Sequence, residues 1–161
     1  MSSPSSTALD DVPRKYGIGL EIPPITKQIA QERITLFERA GGYVTPTFHT
    51  DAASAKSTIG LSGPMASGRM SMSFAVETLR RFFGEAIYNR SGMIDLRFLR
   101  PVRDGDTITI SGKVSQVVSQ ANGQRVVVDV SIHNQHGEAT ASGHGAAVVP
   151  SGLFLADEST T

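Results

Sequence analysis

Hydrophobic residues at helical spacing predict a short helix in the first quarter of the chain. It spans residues 31–40, where Ile34, Phe37 and Ala40 lie three residues apart and would form one buried face. A Gly-Gly pair follows and is expected to end the helix. A strand around residues 24–30 is predicted just before it.

A second, longer helical pattern follows a predicted loop. Residues 42–66 are rich in glycine, proline and polar residues and predict that loop, with a short helical turn at 51–56. The helix lies in the stretch GRMSMSFAVETLRRFFGEAI, with Ser67 as its N-cap and Gly84 as its end. The predicted core-facing residues are Met72, Ala75, Val76, Leu79, Phe82 and Phe83. The opposite side is mostly polar: Ser71, Ser73, Glu77, Arg80 and Arg81.

After Gly92 the hydrophobic period changes to two, which predicts strands. The first predicted strand has the alternating residues Ile94, Leu96 and Phe98. The next two have Ile108, Ile110, Gly112 and Val114, and then Val126, Val128, Val130 and Ile132. Asn122-Gly123 predicts a tight hairpin between them. A turn at 134–137 leads into a last strand, GEATASGHGAAVV, whose small residues indicate a close neighbour.

This order of elements predicts an α+β fold in which one curved antiparallel sheet wraps around one long central helix. A chain of 161 residues is the size of one domain. We expect that domain at residues 15–150. Residues 1–14 are expected to be a disordered N-terminal tail, and residues 151–161 a C-terminal tail.

Charge and composition argue against several classes of function. Fifteen basic residues balance fifteen acidic ones, so no basic field favours nucleic acid. The absence of cysteine excludes thiolate nucleophiles, disulfides and the common zinc sites, and no histidine has a second ligand at metal spacing. No metal and no nucleotide cofactor are therefore expected. No apolar run has the length of a membrane span, and the polar N-terminus is unlike a secretory signal, so we expect a soluble, cytoplasmic protein.

Three segments resemble the MaoC-like branch of the hot dog fold, which contains (R)-specific enoyl-CoA hydratases and dehydratases. PTFHTDAASA resembles the family's proline-to-histidine stretch. GLSGPMASGRMSMSFAVETL resembles its entry into the central helix, Gly-x-Pro-Ile-Ala-His-Gly, and IDLRFLRPVRDGDTITISGKV resembles its strand-turn-strand with Phe, Pro-Val and Gly-Asp. The resemblance covers residues 22–149 and implies the hot dog fold.

The family's catalytic residue pair is incomplete in this sequence. The family motif Asp-x-Asn-Pro-x-His places an aspartate five residues before the histidine, where this chain has Val44. If one extra residue separates proline and histidine, Tyr43 takes that place. Neither residue is a carboxylate. The family's asparagine becomes Thr45, and the histidine before the helix glycine becomes Ser67.

His49 and Gly68 are the predicted catalytic residues. An unperturbed imidazole has a pKa of about 6.5, so His49 could serve as both base and acid; alternatively, it is a loop histidine bonded to a backbone carbonyl. The resemblance places the substrate's thioester carbonyl at the Gly68 amide, where a helix N-terminus favours negative charge. Ser67-Gly68 can also be read simply as an N-cap and a small residue, and both readings are compatible.

Six further residues are predicted to contact substrate: Tyr43, Thr45, Asp51, Met65, Ser67 and Arg69. Asp51 has a stronger explanation as the cap of a helical turn at 52–56. Arg69 could pair with a substrate carboxylate or phosphate, although an exposed arginine also commonly covers a helix face.

The resemblance implies a lyase that adds or eliminates water, or performs related acid/base chemistry, at an α,β-unsaturated acyl thioester or a similar small unsaturated substrate. CoA or an acyl carrier would be part of that substrate, with no separate cofactor. Family members pair edge to edge, so a homodimer or higher homo-oligomer is expected, or an assembly with a related hot dog chain.

Three alternatives remain open. The lost aspartate suggests a pocket redirected to isomerisation or cyclisation in a biosynthetic pathway. The chain could instead be the non-catalytic or partner subunit of a hetero-oligomeric hydratase. Thioester hydrolysis is the third, with Glu77 as the candidate carboxylate, although it lies two turns inside the helix.

Overall fold

The computed structural model describes residues 16–153, in which helices and strands follow the predicted order. The predicted N-terminal tail lies outside this range, and a short 3-10 helix occupies the start of the predicted C-terminal tail. The elements are β1 (Glu21–Gln28), α1 (Gln31–Ala40), α2 (Ala52–Ile59), α3 (Gly68–Phe83), α4 (Glu85–Ser91), β2 (Met93–Phe98), β3 (Thr107–Gln120), β4 (Gly123–His133), β5 (Ala139–Pro150) and the 3-10 helix Ser151–Leu153.

The five strands form one antiparallel sheet in the order β1-β3-β4-β5-β2. β1 and β2 are therefore its edges. The register of β1 against β3 shifts between Ile22 and Ile25, where the sequence has two prolines. Proline has no amide hydrogen to donate to a ladder, so this irregularity is tolerated at an edge strand.

The long helix α3 packs against β1, β2, β3 and β5, as expected for a central helix under one sheet. Its fully buried Leu79 and Phe83 meet the inner residues of the strands. Gly145 on β5 lies so close to Leu79 that a Cβ there would overlap the leucine side chain. The small residues predicted in the last strand thus allow the helix to approach the sheet.

The buried faces of α1 and α3 differ from the prediction at several positions. On α1, Ala40 is exposed and Glu38 is buried instead. Ser71, predicted on the polar side of α3, is buried because it lies one turn from Ala75 on the same row. Met72 and Val76, predicted in the core, are only partly buried.

The hairpin turn and the segment after α3 also differ from the prediction. Gln120 pairs with Gly123, so the two-residue hairpin loop consists of Ala121 and Asn122, and Gly123 is the first residue of β4. Gly84 ends α3 as predicted, but the chain resumes directly as the separate helix α4, which the sequence pattern did not distinguish from α3.

Candidate active site at the N-terminus of the central helix

His49 lies in the loop between α1 and α2, where several contacts hold it. Its Nδ1 lies 2.8 Å from the Met65 carbonyl oxygen. Its ring packs against that of Phe48, with 4.1 Å between ring centroids. Its own carbonyl accepts a hydrogen bond of 3.0 Å from Gln31 Nε2. The half-buried imidazole is therefore fixed in position by α1 on one side and by the segment leading to α3 on the other.

The bond to Met65 determines the tautomer of His49. A carbonyl oxygen only accepts hydrogen bonds, so Nδ1 must carry the hydrogen. In the neutral ring, Nε2 then keeps its lone pair. The alternative reading of His49, as a loop histidine bonded to a backbone carbonyl, is thus correct for Nδ1. That bond at the same time leaves Nε2 able to take a proton.

Met65 connects the two predicted catalytic segments. Its carbonyl oxygen contacts His49, and its amide donates to the Phe48 carbonyl at 3.4 Å. Three residues later the chain reaches Gly68, the first residue of α3. The structure thus joins the loop that carries His49 to the start of the central helix through backbone contacts of Met65.

Gly68 lies under an aromatic ring. A Cβ at Gly68 would approach the ring of Phe98 to 2.7 Å, so the absence of a side chain allows this contact. Phe98 ends β2 and is 47% exposed. The loop after β2 also supports the start of α3, since the Ala66 amide donates to the Val102 carbonyl at 2.7 Å. The first amides of a helix have no partner within it and favour negative charge.

Ser67 occupies the N-cap position of α3 without making a capping bond. Its backbone is extended, with φ −68° and ψ 151°, but its side chain forms no cap hydrogen bond. The residue is 5% exposed, and among the described residues its Oγ has no hydrogen-bond partner. The capping role suggested by the sequence is therefore absent from this side chain.

Arg69, a predicted substrate contact, has partners within the protein. Its Nη2 lies 2.8 Å from Oε2 of Glu38, whose side chain is 1% exposed. The guanidinium also lies over the Tyr43 ring, 4.5 Å from its centroid. Arg69 thus ties the start of α3 to the end of α1 and the residues after it. Contact of Arg69 or Tyr43 with a substrate stays a prediction.

Asp51 is the N-cap of α2, as its alternative reading predicted. Its Oδ2 accepts 2.8 Å hydrogen bonds from both the backbone amide and the hydroxyl of Ser54. These bonds, the backbone one first, lower the pKa of the Asp51 carboxyl. Asp51, Tyr43 and Thr45 line a surface cavity of about 170 Å³ whose lining residues do not include His49. Asp51, Tyr43 and Thr45 thus share one cavity.

The sequence of this chain matches the model of a known family. A family model described as "MaoC like domain" matches residues 19–136. The chain belongs to this MaoC-like family. No curated protein sequence matches it significantly.

Solved structures show the same fold. The monoamine oxidase regulatory protein from Archaeoglobus fulgidus is 26% identical, with a TM-score of 0.70, covering 84% of this chain and 91% of that one. The R-hydratase PhaJ1 from Pseudomonas aeruginosa is 24% identical, with a TM-score of 0.70 and coverages of 88% and 87%. The ChsH1-ChsH2 complex from Mycobacterium tuberculosis is 18% identical, with a TM-score of 0.66 and coverages of 83% and 98%. The α+β hot dog fold predicted for this MaoC-like chain is confirmed.

Glu77, the carboxylate considered for thioester hydrolysis, is held between two cations. It lies 2.7 Å from Lys27 Nζ and 2.6 Å from Arg81 Nη2. The hydrogen bond from Lys27 lowers the pKa of Glu77 most, and the charges of Lys27 and Arg81 lower it further against the opposing effect of burial. A carboxylate paired in this way is a poor base, which argues against the hydrolase alternative.

Three residues that shape the site were missed from the sequence: Gln31, Glu38 and Phe98. Gln31 anchors the His49 backbone across 18 positions of the chain, and no local pattern indicates such a contact. Glu38 lies four residues after buried Ile34, and this helical spacing is the signal that would have indicated its burial. Phe98 stands in the family's strand-turn-strand segment, which was read only as a fold motif.

Two negative findings concern the part of the chain from residue 16 to residue 153. In that range no group of three or more His, Asp or Glu side chains could hold a metal ion. The helices there are all too short or too polar to cross a membrane.

Proposed function

We propose that this protein is a lyase that adds or eliminates water at an α,β-unsaturated acyl thioester, or performs related acid/base chemistry on a similar small unsaturated substrate. Its membership of the MaoC-like family supports hydration or dehydration chemistry. Similar structures include two named as (R)-hydratases. The observation that carries the proposal is the bond from His49 Nδ1 to the Met65 carbonyl, because it leaves Nε2 as a base.

In the hydration direction, His49 Nε2 takes a proton from water while the water oxygen adds to the β-carbon. The electrons of the double bond move through the α-carbon onto the thioester oxygen. The Gly68 amide at the start of α3 donates a hydrogen bond to that oxygen as its negative charge grows. The imidazolium then gives the proton to the α-carbon, and Nε2 is again a base. Dehydration follows the same steps in reverse.

The missing family aspartate makes His49 responsible for both proton transfers. Val44, at one candidate position for that aspartate, is 77% exposed and cannot accept a proton. The other position is Tyr43, which has a phenol in place of a carboxylate. A single imidazole that first removes a proton from water and then returns it to the α-carbon accounts for both proton transfers, so no carboxylate is needed.

The substrate would carry CoA or an acyl carrier protein as its thioester group, and the protein would act in the cytoplasm without a separate cofactor. A second candidate is the partner subunit of a hetero-oligomeric hydratase. The incomplete residue pair favours it, as do two similar structures that are named as complexes, ChsH1-ChsH2 and HadBC. Under this alternative the purified chain alone would not hydrate any enoyl thioester.

The deciding experiment follows the loss of conjugated-thioester absorbance when the protein meets a panel of trans-2-enoyl-CoAs. We expect hydration by the wild type and a decrease of about 100-fold or more in His49→Ala, the usual contribution of a general acid/base. His144→Ala is the matched control, because His144 is exposed on β5. Equal rates for wild type and His49→Ala would refute the role of His49.

Mass spectrometry of the product separates the remaining alternatives. Hydration adds the mass of one water molecule, whereas isomerisation or cyclisation leaves the mass unchanged. Release of free CoA would instead indicate thioester hydrolysis. If no substrate reacts until a related hot dog chain is added, the partner-subunit candidate replaces the lyase.

A further inference from the structure

The buried hydroxyl of Ser67 has no structural role that the contacts explain. The residue is at the N-cap of α3, where a serine hydroxyl normally accepts a bond from an amide of the first turn. Here it makes no such bond, and it has no other partner among the described residues although it is removed from solvent. A buried hydroxyl without a partner is unfavourable for folding. A group that is unsatisfied in the free protein is a candidate for satisfaction by a ligand.

The Ser67 hydroxyl is adjacent to backbone amides that can also donate hydrogen bonds. In the first turn of α3, the Met70 amide donates to the Ser67 carbonyl at 3.0 Å. The amides of Gly68 and Arg69 precede it and have no acceptor within the helix. Together with the Ser67 hydroxyl they form a group of donors at the positive end of a helix of 16 residues. Such a group suits an oxygen atom that carries negative charge.

The surroundings keep the Ser67 hydroxyl away from water and cover one side of Gly68. Ser67 is 5% exposed, and the Phe98 ring covers the adjacent Gly68. Donors in a water-excluded site stabilise a developing charge more strongly than donors in solvent. Because Phe98 is 47% exposed, its ring can turn aside without disturbing the buried core.

We propose that the Ser67 hydroxyl is a second oxyanion donor, which binds the thioester carbonyl oxygen together with the Gly68 amide. This inference rests on the proposed function and adds to it a side chain at the position where the resembled family has histidine. As water adds to the β-carbon, electrons move onto the carbonyl oxygen, and the hydroxyl donates a hydrogen bond to it. Ser67 keeps its proton, and His49 alone takes the proton of water and returns it to the α-carbon. The site therefore selects substrates whose carbonyl becomes an enolate.

The test uses acetoacetyl-CoA, a thioester that ionises to an enolate with its own near-ultraviolet absorbance and needs no turnover. An oxyanion site that binds the enolate raises its fraction at a given pH. We expect the wild type to raise that fraction and Ser67→Ala to lose most of the effect. In the hydration assay, Ser67→Ala should lower kcat about 10-fold to 100-fold, with a smaller change in KM.

Two further variants separate a catalytic from a structural role. Ser73→Ala removes a hydroxyl of the same helix that is already bonded to the Met70 carbonyl, and it should leave the enolate signal unchanged. Ser67→Thr keeps a hydroxyl and should retain much of the signal. In thermal unfolding, Ser67→Ala should be as stable as the wild type or more stable, because it removes an unpaired buried hydroxyl.

Each result has a defined meaning. If Ser67→Ala matches the wild type in enolate signal and rate, or lowers the melting temperature as the loss of a cap would, the oxyanion role is overturned. If the wild type fails to raise the enolate fraction, it is also overturned, even where hydration is observed. If the wild type raises the enolate fraction and Ser67→Ala does not, but no enoyl-CoA is hydrated, the donor role stands and the lyase proposal fails.

Discussion

The His49 imidazole donates from Nδ1 to the Met65 carbonyl and keeps Nε2 as its other ring nitrogen. Its role thus depends on a backbone oxygen 16 residues away, not on its immediate neighbours. Gly68 depends in the same way on Phe98, whose ring takes the place of a side chain there. At the scale of single residues, contacts with distant parts of the chain determine the tautomer of His49 and the surroundings of Gly68.

Gly68→Ala tests the close contact with Phe98. The new methyl group would meet a half-exposed ring, which can move, and alanine favours a helix over glycine by about 1 kcal/mol. These effects oppose each other, so we expect a change in the free energy of unfolding of less than about 1 kcal/mol. The displaced ring and the added methyl should disturb the oxyanion position and lower kcat about 10-fold or more. The measurements are thermal unfolding and the enoyl-CoA assay, and full activity would contradict the site described here.

Helix α1 and helix α3 are joined at their ends by the ion pair of Glu38 and Arg69. The pair is asymmetric, since the Glu38 side chain is 1% exposed and that of Arg69 is 49% exposed. The ion pair lies beside Tyr43, in the segment that aligns with the aspartate-containing motif of the resembled family. The pair therefore holds the start of the central helix against the loop that leads to His49.

Removing either partner should destabilise the protein to a different extent. Arg69→Met leaves a buried carboxylate without its cation and should cost about 3–5 kcal/mol in the free energy of unfolding. Glu38→Gln leaves an arginine that can turn to solvent and should cost about 1 kcal/mol. Urea unfolding of both variants measures the difference. The double variant Glu38→Leu with Arg69→Met is the control and should recover part of the loss. If the two single variants lose equal free energies of unfolding, the different burial of Glu38 and Arg69 does not determine the cost of breaking the pair.

At the scale of the whole molecule, β2 is an edge strand with no partner on its outer side within the described sheet. It leads directly to Phe98 and Leu99, which are exposed at 47% and 44%. An open strand edge next to exposed apolar side chains favours pairing with another chain. The candidate site lies at the same end of β2, through the contact of Phe98 with Gly68.

We expect a homodimer that joins two sheets through their β2 edges. Light scattering with size-exclusion chromatography should give twice the mass of one 17.1 kDa chain. Leu99→Lys should shift the protein towards monomer, because it places a charge beside the paired edge. Val118→Lys is the matched control, since Val118 is 47% exposed, close to the 44% of Leu99, but lies on β3. A monomer in the wild type would contradict the homodimer and favour a related hot dog chain as partner.

Much of the fold followed from the sequence alone, because hydrophobic period and motif spacing are properties of neighbouring residues. They identified the helices α1 and α3 and the four late strands, and the family resemblance indicated the candidates His49 and Gly68. They failed at Glu38 and Ser71, where position on a helix face outweighed polarity, and at the hairpin, where pairing of Gly123 with Gln120 moved the turn.

The tertiary structure alone decided how these residues are used. The tautomer of His49, the ion pair of Arg69 and the cover over Gly68 each join segments that are distant along the chain. The absence of a cap bond from Ser67 also depends on its three-dimensional surroundings, because serine at that position predicts the bond. Residue types and their spacing determined which groups are present, and packing of distant segments determined which of those groups remain available to a substrate.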